Sequence, residues 1–254
     1  MPTIVLWDSA PAIEEMGESI FAIGPWAPDT GEKASRFALT NLKAKKAIVI
    51  SNQHDWGLTV SRYFTDDFKS KGGEILSHEI LNGDIADFRA TLLKVKAKNP
   101  DVIYAPLTFG ITSFATQLRQ LKITVPIIMS DIITEALLDT SNGVLENFYH
   151  TAVVDPQSDR ILDLKSHYKK KYGKDLKLPL FTSWGYDAVS IFAEALSSGA
   201  RSKTEIRDAI YKIINLKGAS GTITFNPRGS SPMYISMFQV KNSKLAFIEG
   251  PDAK

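Results

Sequence analysis

The chain contains no cysteine in its 254 residues, which excludes disulfides, thiolate nucleophiles and cysteine-based zinc sites together. That absence fits a reducing compartment and a cystine-free exported protein equally. The chain also has little net charge: 30 Lys and Arg against 28 Asp and Glu leave +2. The short basic clusters Lys43-Ala44-Lys45-Lys46 and Lys169-Lys170-Lys171 lie in mixed-charge helical stretches. They read as solvated surface, so no nucleic-acid partner is expected. No run approaches the roughly 18 to 20 apolar residues that a membrane span needs. The four histidines, His54, His78, His150 and His167, show no metal-ligand spacing. G-x-G-x-x-G, P-loop and G-x-S-x-G motifs are missing as well, so neither a metal, a cofactor nor hydrolase chemistry is expected. Met1 to Trp7 runs straight into a strand-like segment without the basic and apolar regions of a secretory leader, and the expectation is a chain without one.

What is present is alternation. A chain of this length makes one large domain or two lobes of about 100 to 150 residues each. Ala47 to Ser51 reads as a strand, and Leu58 to Lys71 as a helix with Val60, Phe64 and Phe68 at four-residue intervals, closed by Gly72-Gly73. Glu74 to Ile80 is a second strand, Asp84 a cap for a helix carrying Phe88, Leu92 and Val95, and Asn99-Pro100 its stop before the strand Val102 to Ala105. Ile111, Phe114, Ala115, Leu118 and Leu121 mark the next helix, and Val125 to Met129 its partner strand. Nearly continuous apolar strands alternating with one-faced helices imply parallel pairing with helices on both sides, in a lobe spanning about Pro28 to Val154. Beyond it the pattern changes to three successive helical stripes, the third behind the capping box Ser202-Lys203-Thr204-Glu205. Short strands come next at Gly221 to Phe225, Tyr234 to Val240 and Leu245 to Ile248, and two more, Ile4 to Trp7 and Ile20 to Gly24, precede the lobe.

Strand-to-helix junctions are where such a sheet binds ligands. Asn52-Gln53-His54-Asp55-Trp56-Gly57 is one, and Trp56 there is a flat wall for a small ligand or a lid on the core. Thr108 and Phe109, after the strand ending near Ala105, offer a hydroxyl and an aromatic edge, or else loop packing. Asp131 marks the turn after the strand ending at Met129 and is also a good N-cap for the segment from Ile132. Asp55 is expected to cap the helix at Leu58, and Asp66-Asp67 to face solvent.

Five short motifs occur in order along nearly the whole chain: Val5 to Pro11 with Ser19 to Ile23; Asp55-Trp56-Gly57; Asp87-Phe88-Arg89 with Leu92 and Lys96; Asn99-Pro100-Asp101; and Trp184-Gly185-Tyr186-Asp187-Ala188. In this register the chain resembles type I periplasmic solute-binding proteins, and within them the Leu/Ile/Val-binding group. The resemblance implies an α/β fold of two Rossmann-like lobes with parallel sheets flanked by helices, joined by three crossovers and closing on a ligand in the cleft between them. Residues 1–25 and 155–231 would form a remnant of lobe I, and residues 26–154 and 232–254 lobe II. Family members begin with a leader and several βα units of roughly 30 residues each that have no counterpart here. The start is thus expected to be internal to a longer reading frame, a fragment, or a truncation.

By the same resemblance the ligand would touch Trp56, Asp131, which would pair with an α-ammonium group, and the first-lobe pair Asp8 and Ser9. Thr108 and Phe109 complete the expected set. The implied function is extracytoplasmic capture of a small polar solute, an amino acid or a related compound, for an ABC permease, without enzymatic chemistry. Self-association through the incomplete lobe is expected from the apolar surface it would expose. A ligand-sensing receptor or regulatory module of the same fold, or a truncated fragment that binds nothing, is the alternative.

Overall fold

The computed structural model describes residues 1–6, 10–82, 85–130, 132–153, 158–233 and 235–250. In chain order its elements begin β1 (Thr3–Leu6), β2 (Ile20–Pro25), α1 (Ala27–Thr40), β3 (Lys46–Asn52), α2 (Asp55–Ser70), β4 (Glu74–Leu81), α3 (Arg89–Lys98), β5 (Val102–Tyr104), α4 (Ile111–Gln120) and β6 (Ile127–Ser130). They continue with α5 (Glu135–Thr140), β7 (Tyr149–Ala152), α6 (Asp159–Tyr172), α7 (Pro179–Ser197), α8 (Lys203–Tyr211), β8 (Leu216–Lys217), β9 (Thr222–Ile223), β10 (Ser230–Met233), β11 (Ser236–Lys241) and β12 (Lys244–Glu249). Two compact units result, Met1–Trp26 with Val153–Tyr234, and Ala27–Ala152 with Ile235–Lys254.

The larger unit is a seven-stranded sheet in the order β12-β11-β7-β6-β5-β3-β4. Pairing is parallel from β4 across to β7, while β11 and β12 extend the sheet antiparallel. The inner strands are buried along their length because helices cover both faces, and this is why their sequences are continuous apolar runs. One face carries Ile48, Ile50, Ile103, Ile127 and Met129 against Phe88 and Leu92 near and on α3 and Phe114 and Leu118 on α4. On the other face Phe64 of α2 stacks on Tyr104 of β5, ring centroids 4.3 Å apart, and on Phe68 of its own helix at 5.4 Å. Val60, Phe64 and Phe68 are fully buried, as the four-residue spacing predicts.

The reading of α2 needs correction at its start. The helix begins at Asp55, three residues before Leu58, and the N-cap is His54, whose ring accepts the Gly57 N–H. Asp55 is therefore inside the first turn, where its charge suits the helix dipole, and does not cap. Trp56 likewise sits in that first turn. Asp84 lies outside the described residues; α3 starts at Arg89, whose N–H is accepted by Asp87. The strand expected from Val125 begins two residues later, at Ile127, and the segment Gly221 to Phe225 forms only the two-residue strand β9.

Helix α1 and strands β7, β8 and β10 have no counterpart in the sequence reading. Helix α1 packs against α2 at Gly31, where an added Cβ would lie 2.6 Å from the Val60 carbonyl oxygen and 2.7 Å from the Phe64 amide. Its Lys33 is buried, with Nζ 2.9 Å from Glu249 Oε1 and 2.8 Å from the Gly250 carbonyl, which ties the end of β12 to the helix. Strand β10 joins β1 and β2 in a parallel three-stranded sheet, β1-β2-β10, in the smaller unit. There Trp184, Ile191 and Ala195 of α7 pack with Phe21, Ile23, Ile210 and Met233, and the indole N–H of Trp184 points to Met233 Sδ at 3.4 Å. The capping box at Ser202 and Glu205 forms at the start of α8. Asp187 is buried and accepts the Ala219 and Ser220 N–H groups and the Ser220 hydroxyl, holding the turn that leads to β9. Burial raises its carboxyl pKa above the usual range, against the pull of those hydrogen bonds.

Both the helix contact and the buried imidazole of the sheet can be tested by mutation. Gly31→Ala should wedge α1 off α2, lowering stability by roughly 1 to 3 kcal/mol in urea titration, because the obstacle is backbone and cannot swing away. His150, in β7 between Met129 and Phe238, is fully buried, and burial pushes its pKa from 6.5 to about 3. The folded chain keeps this imidazole neutral while the unfolded chain takes up a proton below 6.5. Its contribution is therefore intact above that pH and is lost as pH falls toward 3. His150→Leu should flatten the stability profile across that window; an unchanged acid limb in denaturation would contradict this.

Candidate functional site

The chain order of the larger sheet reverses between β3 and β5. From β3 the chain moves outward to β4, then returns past β3 to β5 and continues through β6 and β7. At such a switch point the loops leaving two neighbouring parallel strands diverge to opposite faces, opening a crevice beyond their carboxyl ends. The β3 loop is residues 53 and 54; the β5 loop is 105–110.

A network of polar contacts joins the two loops. Asn52, the last residue of β3, is fully buried, and its Oδ1 accepts the N–H groups of Thr108 at 2.8 Å and Phe109 at 3.0 Å. Two residues on, His54 Nδ1 accepts the Gly57 N–H at 3.4 Å, and Nε2 lies 2.7 Å from Thr108 Oγ1. An imidazole nitrogen that accepts carries no hydrogen, so with Nδ1 accepting the Gly57 N–H the ring carries its hydrogen on Nε2 and donates to Thr108. In that tautomer the ring cannot take a proton from the threonine, and the pair is not a nucleophile with its base. The Phe109 ring, 53% exposed, stands edge-on to His54 with centroids 6.2 Å apart.

Backbone conformation sets these positions. Gly110 caps α4 with φ +72°, and a Cβ there would also strike the Ile85 carbonyl at 2.7 Å. Gln117 of α4 accepts the Phe88 N–H and donates to the Ala86 carbonyl, fixing the segment that borders this loop. In the adjoining strands the Tyr104 hydroxyl and Ser130 Oγ are buried partners at 2.7 Å.

Of the sequence-derived site residues, half-buried Thr108 and exposed Phe109 stand on this rim, and half-buried Trp56 lies in the first turn of α2, two residues beyond His54. Asp131, Asp8 and Ser9 lie outside the described residues. Sequence reasoning missed Asn52 and His54, the two side chains that lock the rim. The signal that could have found His54 is its position three residues before Gly57, the spacing of an N-cap acceptor, rather than any metal-ligand spacing. Among the described residues no group of three or more His, Asp or Glu side chains could hold a metal ion. No described helix is long and apolar enough to cross a membrane.

The sequence pattern of periplasmic binding proteins matches residues 1–244. The chain belongs to the periplasmic binding protein family. Its fold is also that of solved structures. The leucine-binding protein LivK of Thermotoga maritima is 25% identical with a TM-score of 0.88, over 99% of this chain and 73% of that one. The branched-chain amino-acid binding protein LivJ of Streptococcus pneumoniae, solved with isoleucine, is 22% identical at a TM-score of 0.85, over 98% and 73%. A solute-binding protein of an ABC transporter from Rhodopseudomonas palustris, solved with 3,4-dihydroxybenzoic acid, is 19% identical at 0.85, over 100% and 72%. No curated protein matches the sequence.

In this periplasmic binding protein, Asn52→Leu should leave two backbone donors unpaired at the rim. A loss of roughly 2 to 4 kcal/mol is expected, with faster hydrogen exchange at the Thr108 and Phe109 amides. Retained protection there would show that the two loops hold together without Asn52.

Proposed function

We propose that the protein captures a small carboxylate-bearing solute, an amino acid or related compound, at the carboxyl ends of β3 and β5, and delivers it to an ABC permease outside the cytoplasm. The observation that carries this reading is the locked rim at the sheet's topological switch point, where Asn52 and His54 tie the loop bearing Thr108 and the exposed Phe109 to the β3 end that leads into Trp56. An apolar body with a few placed polar atoms is what such a rim suits. Membership of a family of binding proteins supports capture and release without covalent chemistry. Asp131, Asp8 and Ser9 complete the proposed ligand contacts, with Asp131 answering an α-ammonium group. Self-association through the smaller unit is proposed as a further property, to be read from light scattering.

A second ligand class is favoured by one observation. The exposed Phe109 edge and the Trp56 indole suit an aromatic acid as well as a branched aliphatic one, and the Rhodopseudomonas palustris neighbour was solved with such an acid.

Thermal unfolding with L-leucine, L-isoleucine and 3,4-dihydroxybenzoate decides between them. Ligand at 100 times its Kd should stabilise the protein by about 2.7 kcal/mol. Asp131→Asn should weaken the amino acids at least tenfold and leave the aromatic acid unaffected. No shift with either amino acid rejects the amino-acid reading, and no shift with any of the three rejects capture of these solutes.

A further inference from the structure

We propose that the basic turn closing α6 is a docking surface for an anionic phospholipid bilayer, its lysines meeting the headgroup phosphates while Tyr172 and Leu178 enter the interface beside them. Capture of a solute plays no part in it.

The positive charge of the chain is gathered at this one place. Residues 169–177 hold five lysines and one aspartate, a net +4, in a chain whose total is +2, so the other 245 residues together carry −2. Helix α6 closes at Gly173, whose φ of +69° turns the chain aside, and Lys169 Nζ then meets Asp175 Oδ1 at 2.9 Å. The segment beyond the helix is thereby held against its last turn, and Lys174 and Lys177 join Lys169, Lys170 and Lys171. The bond and charge of Lys169, with the charge of Lys177 behind them, hold the Asp175 carboxyl below the usual carboxylate range. No other ion pair of these five lysines occurs among the described residues.

The helix dipole does not account for the cluster. A helix C-terminus favours cations only within its last turn, and Lys174 and Lys177 lie past it. Like charges this close repel, so an anionic surface relieves a cost that the free protein bears. The helix lies shallowly on the smaller unit, with Ile161 alone of its fourteen residues buried. Apolar side chains stand among the lysines: Tyr172 is 54% exposed and Leu178 45%. Tyr168 supports the Tyr172 ring with centroids 4.7 Å apart, and Lys171 Nζ lies 5.3 Å from the Tyr172 centroid. The kind of cation chooses between lipid and protein. Arginine presents a planar fork to a carboxylate in a fixed place, whereas lysine is a point charge on a flexible stem. Residues 169–177 contain lysine and no arginine. Spread headgroup charge suits them, and tyrosine with leucine beside them suits the boundary between headgroups and acyl chains.

The test measures flotation of the whole chain with vesicles of phosphatidylglycerol and phosphatidylcholine in equal parts, against vesicles of phosphatidylcholine alone. Binding is expected to the anionic vesicles only, and its loss in about 1 M salt, where the Debye length is about 3 Å. Each lysine near such a surface changes partitioning about fivefold, so the triple variant Lys170→Gln, Lys174→Gln, Lys177→Gln should bind about a hundredfold more weakly. Taking the same charge from the larger unit, by Lys43→Gln, Lys45→Gln and Lys46→Gln, should leave binding at the parent level. Tyr172→Ser with Leu178→Ser should weaken binding and keep its salt dependence. All of the residues changed are exposed, so each variant should retain the parent's circular dichroism. Equal binding to both kinds of vesicle, binding to neither, equal losses from the two lysine triples, or undiminished binding by either variant of the turn overturns the proposal. None of these results touches the proposed capture of a solute, which is read from ligand-dependent unfolding.

Discussion

The two hydrogen bonds that the Thr108 and Phe109 amides donate to the Asn52 carboxamide oxygen carry the arrangement on which everything at the rim depends. Parallel pairing brings the ends of β3 and β5 side by side, yet the reversal of chain order there sends the segments beyond them to opposite faces of the sheet. Left to themselves those segments would splay. One buried side chain accepts two backbone donors across the gap, and each is a group whose burial without a partner would cost about 1 to 3 kcal/mol. The crevice that the topology makes is thereby held at one width, and every other contact at the rim is built on that width.

Much of the larger unit was legible because its strands are covered on both faces. Burial on both sides demands apolar runs, and the one-faced helices between them show a period that nothing else in the sequence mimics; Val60, Phe64 and Phe68 are the clearest case. Helix α1 was invisible for the opposite reason. It packs through Gly31 and buries Lys33, so its contact face presents a glycine and a charge where a periodicity argument looks for leucine. The lysine is acceptable there because it is paired, with a carboxylate and a carbonyl of residues 249 and 250 among its partners. Strand β10, Ser230-Ser231-Pro232-Met233, has no strand-like composition and exists because β2 offers an open parallel edge.

The rim itself was half legible. Aromatic residues at a strand-to-helix junction stand out, so Trp56, Thr108 and Phe109 could be named. Asn52 and His54 could not, because their importance lies in pairing across 54 to 57 residues of sequence. Short-range spacing holds no trace of such a pair. His54 also displaced Asp55 as the cap, although a carboxylate is the commoner choice, since the helix starts ahead of its apolar stripe, at Asp55 itself.

The contrast between two histidines of the same unit shows what separates a structural imidazole from a working one. His150 is buried in a central strand with Nδ1 unpartnered, and exclusion of water alone keeps it neutral. His54 has both nitrogens in use, one held by a helix amide and the other directed at a hydroxyl, so that a tautomer is specified and passed on. Burial fixes charge, but only partners fix the direction of a proton.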